Sequence, residues 1–482
     1  MSDWIERENP ARPGELVGRV PTSSSADVDR AVRAADAAQK QWGALSLEDR
    51  IATIRFAADA LPAHNDRLGE LMAREVGKPF ADARGEIGYS QVLLGYTLDR
   101  ATDVVRDTEI DDAGGRLRIS HKPYGVVAAI TPWNAPVILT MLKVAPALAT
   151  GNAVVVKPSP LAPLAVSEFF GLLAEGLPDG LLTVVHGDAE AGSALVSHPL
   201  VRKIAFTGGN TTAVAIGKTA AEVITPTVME LGGNDPAIFL DDADLGTEAM
   251  DRIVIATFAT SGQVCMASKR IYVHRSRYDE FVAGFVAAAA RVLRTGDPLD
   301  DGVTMGPVID ERSKQRIEAL IASARDAGGT VTELGTVDDK AFARGLFVRP
   351  ALVEGLSDDH ALVCDEQFGP VVPVTAFDTD DEAVERANKG DLGLGASVWS
   401  ADEERAFALA SRLEAGFTFI NTHNRTGMAP RAPFGGVKKS GFGREYGDEG
   451  LKEYLQICVT NAPAAFRPGG DGGSATAYPG QA

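Results

Sequence analysis

The chain has 482 residues, 45% hydrophobic and 23% charged, the balance of an ordinary soluble globular protein with room for two or three domains. Its 66 acidic and 47 basic residues give a formal charge of −19, which argues against nucleic acid or an anionic membrane as a partner, since both need a basic face. Three widely separated cysteines, Cys265, Cys364 and Cys458, make neither a disulfide framework nor a zinc-ligand spacing, so no metal is expected.

The opening stretch "MSDWIERENPARPGE" has neither a basic start nor an apolar core, so no secretory signal is expected. No apolar run is long enough to span a bilayer, and a reducing, cytoplasmic location follows as the expectation. Asp27 is expected to cap a helix whose apolar positions Val28, Ala31, Val32, Ala35 and Ala38 follow the helical period. Residues 108–127 alternate on either side of Gly114-Gly115 and read as a β-hairpin. An isolated hairpin is marginal in water, so it should lie against something, another subunit being one candidate.

From about 124 to 245 short apolar runs ("GVVAAI", "AVVVKPS", "LLTVVHG", "KIAFTGG", "AIFL") alternate with helical segments. That alternation predicts βαβ units on a parallel sheet. A second set follows Cys265, with strands "RIYVH", "VVPVTAF", "GASVWS" and "GFTFIN" and helices near 380–388 and 402–413. The tail "RPGGDGGSATAYPGQA" has a disordered composition.

Ligands of parallel sheets bind at the carboxyl ends of the strands, but there is no well-formed G-x-G-x-x-G here. The better nucleotide candidate is "IAFTGGNTTAVAIG", in which Gly208 and Gly209 separate a strand from a helix whose N-terminus could meet a pyrophosphate. A plain βα turn has the same pattern. Lys157 in "VVVKPSP" reads equally as a solvated lysine, and Glu230 in "MELGGND" as either a cap acceptor or a general base. Cys265, in "TSGQVCMASKR", is by itself either a small core residue or a nucleophile.

Taken in order, "TPWNAP", "KPS", "FTGG", "MELGGNDP", "GQVCMA", "DEQFGPV" and "PFGGVKKSGFGRE" closely resemble the aldehyde dehydrogenase superfamily, over roughly residues 8–460. The resemblance implies an α/β fold with two Rossmann-like parallel-sheet domains and a β-hairpin oligomerisation arm. It places a dinucleotide-binding domain at 1–107 and 125–232, a catalytic domain at 233–445, the arm at 108–124 and 446–462, and a disordered tail at 463–482. A homodimer or homotetramer is then expected, with Cys458 structural within the arm and Cys364 a small apolar residue.

By the same resemblance, Cys265 is the nucleophile on an aldehyde carbonyl, and Asn134 with the Cys265 backbone N–H receives the oxyanion. Hydride leaves to a nicotinamide and a thioester forms. Glu230 activates water for hydrolysis; members that transfer the acyl group to coenzyme A usually lack that glutamate. Glu445 matches a proton-relay position. Lys157 matches the adenosine-ribose ligand, Gly208 and Gly209 the pyrophosphate turn with Trp133 nearby, and Glu366 with Phe368 the nicotinamide-ribose site. Pro160 stands where many NAD-preferring relatives carry a glutamate, so NAD leads as cofactor without excluding NADP. The acyl tunnel would be lined by Ala135, Ile138, Leu142, Val264 and Met266, which suits an aromatic or medium-chain aldehyde. A semialdehyde is the other candidate, its carboxylate paired with Arg425 or Arg431, although a solvated loop arginine has the same sequence. The competing readings are a coenzyme A-acylating enzyme and a non-catalytic binding protein on the same fold; the latter should have lost Cys265, Asn134 or Glu230, and all three are present.

Overall fold

The computed structural model describes residues 3–466. Strands Val126–Thr131, Ala153–Pro158, Leu182–Val184, Val201–Thr207 and Thr227–Glu230 form a parallel sheet, with Gly441–Phe442 added antiparallel at one edge. Val126–Thr131 and Ala153–Pro158 are buried along their whole length, as parallel strands covered by helices on both faces must be. Val126–Thr131, first in sequence, pairs with Ala153–Pro158 on one side and Val201–Thr207 on the other. Strand order therefore reverses there, and the loop leaving that strand is "TPWNAP".

A second sheet has the spatial order Thr330–Glu333, Ala351–Glu354, Val371–Phe377, Ser268–His274, Asp235–Phe239, Gly395–Trp399, Phe417–Ile420. It is parallel except for its antiparallel edge at Thr330–Glu333. The strand ending at Glu230 closes the first sheet, and five residues on, Asp235 opens a strand of the second. Carboxyl ends of one sheet thus face amino ends of the other, and the sequence motifs lie in the seam. The segment after Phe434 crosses back, because Gly441–Phe442 pairs with Met229 and Glu230.

The hairpin forms as expected, Thr108–Asp112 with Gly115–Pro123, and its cover comes from this chain: Leu455–Pro463 pairs along the whole second strand. The turn itself is Ala113-Gly114, since Asp112 and Gly115 already pair. Regular structure continues through Pro463 and a 3₁₀ turn at Ala464–Phe466; the rest of the tail lies outside the described residues. At the first helix, Ser25–Trp42, the cap is Ser24 and not Asp27. Asp27 instead accepts from the Ser24 backbone N–H while the Ser24 hydroxyl accepts from Asp27, a reciprocal capping box. Among the described residues no helix is long and apolar enough to cross a membrane.

Candidate active site

Cys265 lies in the turn between helix Thr247–Phe258 and strand Ser268–His274. The turn winds through left-handed backbone at Thr260 (φ 54°), Ser261 (φ 57°) and Gly262 (φ 70°). A Cβ on Gly262 would sit 2.3 Å from the Gly369 carbonyl oxygen, so only glycine fits. Left-handed residues cost about 1–3 kcal/mol each when they carry a side chain, and the surroundings must enforce them. Here Ser261 Oγ donates to the Gly306 carbonyl (2.8 Å), Gln263 Nε2 donates to the Thr260 carbonyl (3.1 Å), and Gln263 Oε1 accepts from the Ile309 N–H (3.0 Å).

Asn134 arrives from the other sheet, in the loop after Val126–Thr131. Its Nδ2 donates to the Gln263 carbonyl (2.9 Å), and Asn134 and Cys265 line one cavity of about 400 Å3. The following helix, Pro136–Ala149, has no capping side chain of its own. Glu86 supplies one from a distance: its Oε1 accepts from the N–H groups of Val137 (3.0 Å) and Ile138 (3.2 Å), while Oε2 pairs with buried Lys78. A carboxylate at a helix N-terminus is favoured by the dipole as well as by the bonds.

Glu230 is buried, and neither carboxyl oxygen has a hydrogen-bond partner. Burial, then the charge of Glu445, holds its carboxyl well above the usual range; Lys143 and Arg444 oppose. Lys143 is wholly buried, donating to Thr207 Oγ1 (2.6 Å) and pairing with Glu445 Oε1. Glu445 is held in turn by paired backbone bonds to Phe434. Burial likewise pushes the Cys265 thiol up to about 12, against the lowering effect of Lys269; Glu366, Asp235 and Glu230 add to the rise.

A second cavity, of about 540 Å3, opens on the opposite side of the "TPWNAP" loop. Trp133, Lys157, Pro160, Gly208 and Gly209 line it together, joined by Ser159 and Asp188. Its residues fit a dinucleotide. Helix Asn210–Val223 begins at Gly209 without a side-chain cap, and a Cβ there would meet nothing within 4 Å, leaving backbone N–H groups open to a phosphate. Lys157 is buried, its ammonium bonded only to the neighbouring Pro158 carbonyl (3.3 Å). Burial lowers it to about 8, with Asp188 acting in the opposite sense. Glu366 and Phe368 lie outside this lining. Phe368 (φ 48°) stands edge-on to Trp133 at 5.7 Å, and Glu366 Oε1 accepts from the Gly233 N–H (3.1 Å).

Of the residues expected to line the acyl tunnel, Ala135, Ile138, Val264, Met266 and Arg425 border the 400 Å3 cavity. Leu142 does not: it faces Leu93, Tyr96 and Pro146 one helical turn further on, and Leu139 takes its place. Arg431 is exposed and outside the lining. Arg425 is not free, since its guanidinium pairs with Asp82 at 2.9 Å. Tyr89, Met428 and Tyr446 complete much of the apolar wall. Cys364, read as a small apolar residue, is exposed, and Cys458 is half-buried in strand Leu455–Pro463. Glu86, Lys143, Asp82, Asp188 and Lys269 are the residues of the site that sequence reasoning passed over. One signal existed for Lys143, a lone charge in an otherwise apolar helix, which has to be paired when buried.

The Aldehyde dehydrogenase family pattern matches residues 2–459. The chain belongs to the aldehyde dehydrogenase family. It is 38% identical to the glutarate-semialdehyde dehydrogenase of Pseudomonas aeruginosa, over 94% of this chain and 93% of that one. It is 36% identical to the NADP(+) succinate-semialdehyde dehydrogenase of Escherichia coli, with the same 94% and 93% coverage. The crystal structure of an NAD-dependent aldehyde dehydrogenase from Sinorhizobium meliloti superposes with a TM-score of 0.90 at 33% identity, over 95% of this chain and 91% of that one.

Since Glu445 raises Glu230 and Lys143 lowers it, Glu445→Gln removes one charge and frees the other, and both changes act downward. A carboxyl can take up a proton only above its folded pKa. The rising limb of the pH profile of turnover in the Glu445→Gln variant is therefore expected at lower pH than in the wild type, and a limb moved upward would contradict the coupling.

Proposed function

We propose that Cys265 attacks the aldehyde and that Glu230 directs water at the resulting thioester, so that this NAD(P)-dependent aldehyde dehydrogenase releases a carboxylic acid. The observation that carries the reading is the buried, unpartnered carboxyl of Glu230 backed by the Lys143–Glu445 pair. Addition of the Cys265 sulfur to the carbonyl carbon breaks the S–H bond, its proton leaving to solvent, and turns the carbonyl into an oxyanion. The oxyanion is received by Asn134 Nδ2 and the Cys265 N–H, each donor lowering the barrier by about 3 kcal/mol. Bound NAD(P)+ supplies the hydride acceptor. Water then adds to the thioester carbon as Glu230, with Glu445 behind it, takes its proton; the C–S bond breaks to release the carboxylic acid, and the departing sulfur takes that proton back to leave as the thiol. A coenzyme A-acylating enzyme would have no use for a base at Glu230.

Lys157 holds the adenosine ribose, Gly208 and Gly209 the pyrophosphate beside Trp133, and Glu366 with Phe368 the nicotinamide ribose. NAD is the preferred cofactor. Pro160 lacks the carboxylate that would repel a 2′-phosphate, but Asp188 borders the same cavity and supplies a negative charge beside Lys157. The sheet formed by Leu455–Pro463 and the hairpin exposes Ile110, Ile457 and Val459, and serves as the homo-oligomer contact.

The substrate is an aldehyde with a short apolar body and a carboxylate that reaches Arg425, in line with the glutarate- and succinate-semialdehyde dehydrogenases among its relatives. A second reading, an uncharged aromatic or medium-chain aldehyde, is favoured by the Asp82 pairing that already neutralises Arg425.

Glu230→Gln is expected to release one equivalent of NAD(P)H and then stall with the acyl group on Cys265, detectable by intact-protein mass; the hydrolytic step should slow by about 10²–10⁴. Steady turnover to free acid by that variant would remove Glu230 from the hydrolytic step, and acyl-CoA as wild-type product would revive the transferase. For the cofactor, Asp188→Asn should raise the NADP/NAD ratio of kcat/KM by about tenfold or more, the size of a modest like-charge repulsion. An unchanged ratio means Asp188 does not select. For the substrate, the kcat/KM advantage of a semialdehyde over its uncharged analogue should fall by about 10–100-fold in Arg425→Met. Equal rates for the two aldehydes in the wild type would establish the uncharged class instead.

A further inference from the structure

The nucleophile turn is held by a lysine that the reaction scheme above does not use. Lys269, four residues after Cys265, is buried, with 3% of its side chain exposed. Its ammonium donates to the carbonyl oxygens of Val264 (2.7 Å) and Cys265 (2.5 Å), and lies 3.3 Å from Glu366 Oε1. The bond returns through the backbone, since Gln367 Nε2 donates to the Lys269 carbonyl at 3.0 Å. The strand beginning at Ser268 and the segment around Glu366 are thus fastened at both ends of one side chain.

The Val264 carbonyl shares a peptide unit with the Cys265 N–H. A trans peptide is planar, so its C=O and N–H point in opposite directions, and no cis peptide is present among the described residues. Fixing the Val264 oxygen on Lys269 therefore fixes the direction of the Cys265 N–H, which is sent away from the ammonium. A cation on the carbonyl also polarises the amide and makes that N–H a stronger donor.

We propose that Lys269 is a positioning residue that aims the oxyanion-binding N–H of Cys265 and, through Glu366, ties that aim to the carboxylate assigned to the nicotinamide ribose. The inference rests on the oxyanion and ribose roles proposed above. Around the ammonium, the charged and titratable groups are Glu366, Asp235 beneath the turn, Cys265 itself and the buried imidazole of His423. Lys269 is the cation that lowers the Cys265 thiol, so its removal should also move the thiol upward.

Two reactions of the same sulfur separate positioning from folding. Acylation by an aldehyde needs the oxyanion site; alkylation by iodoacetamide passes through no oxyanion. Lys269→Met keeps length and bulk but donates nothing. In single turnover with saturating cofactor, its burst of NAD(P)H is expected to slow by about 100-fold, the effect of losing one well-aimed donor. Its iodoacetamide rate, read at the same pH of about 8 as the burst, carries any change in the thiol but none in the oxyanion site, and should fall by no more than about tenfold, one pKa unit. Lys269→Gln, which keeps one donor, should recover part of the acylation rate. An acylation rate within threefold of wild type, or acylation and alkylation lost in equal proportion at that pH, would overturn the proposal. Glu366→Gln is the separate control, read by cofactor titration. Unchanged cofactor affinity there removes the ribose role of Glu366 and the link to it, while the Lys269→Met comparison still decides whether the N–H is aimed.

Discussion

Burying charge is the constraint around which this site is built. Moving an ion out of water costs several kcal/mol even after relaxation, and only a close counter-charge or a set of hydrogen bonds offsets it. Lys78, Lys143, Lys269, Glu86, Glu230, Glu445 and Asp235 are all buried near the seam between the two sheets. Each of the three lysines meets a carboxylate: Lys78 meets Glu86 eight residues on, while Lys143 with Glu445 and Lys269 with Glu366 join distant segments. Lys143 belongs to the helix after the first strand of the first sheet, while Glu445 lies just beyond Gly441–Phe442, the strand that crosses back after the second sheet, and bridges to Phe434. Removing one member of such a pair costs about 3–5 kcal/mol, because the other is left charged and unpaired. These pairs fasten the seam, and Cys265, Asn134 and Glu230 lie beside them.

That dependence explains what could be read beforehand and what could not. Strand ends carry function in parallel sheets, and Cys265, Asn134 and Glu230 stand at or beside strand ends or in the loops between them. Their chemistry is local to a short motif, so motif order sufficed to nominate them. Helix capping was nearly legible: Ser24 and Asp27 are both cap-forming residues three apart, and because each side chain satisfies the other's backbone, the pattern alone does not say which one stands first. Leu142 was misplaced for a geometric reason. Ile138 and Leu142 share a helix face by spacing, but the cavity wraps around the first turn of that helix, so Leu139 borders it and Leu142 lies beyond.

The residues that escaped notice are those whose meaning depends on a distant partner. Lys143 and Glu445 are 302 positions apart, and Glu86 is about 50 from the helix it caps. A lysine in "MASKRIYV" looks the same whether it is solvated or bonded to two carbonyls. Asp82 and Arg425 each resemble an ordinary surface charge, and only their proximity makes a neutral pair at the edge of the cavity that Cys265 lines. Asp188 adds a carboxylate to the cofactor cavity from a different loop than the one where Pro160 lacks it. Substitution of one segment's function by another's leaves no trace in either segment read alone.

The same burial that demands pairing also sets the resting state of Cys265. Cys265 and Glu230 are both pushed toward their neutral forms, principally by desolvation. A buried thiolate would be an unstable resting species, and the neutral thiol is a poor target for oxidants and alkylating agents. Yet a proton must leave Cys265 for attack on a carbonyl. Desolvation opposes charge on either group, so transfer of a proton from the sulfur to a neighbouring carboxylate requires one that is still ionised, and the two burial penalties then act in opposite directions. What remains is the field at each position, which Lys269 biases at the sulfur and the Lys143–Glu445 pair biases at Glu230. Acid and base are thus set against each other by their neighbours' charges instead of by exposure to water.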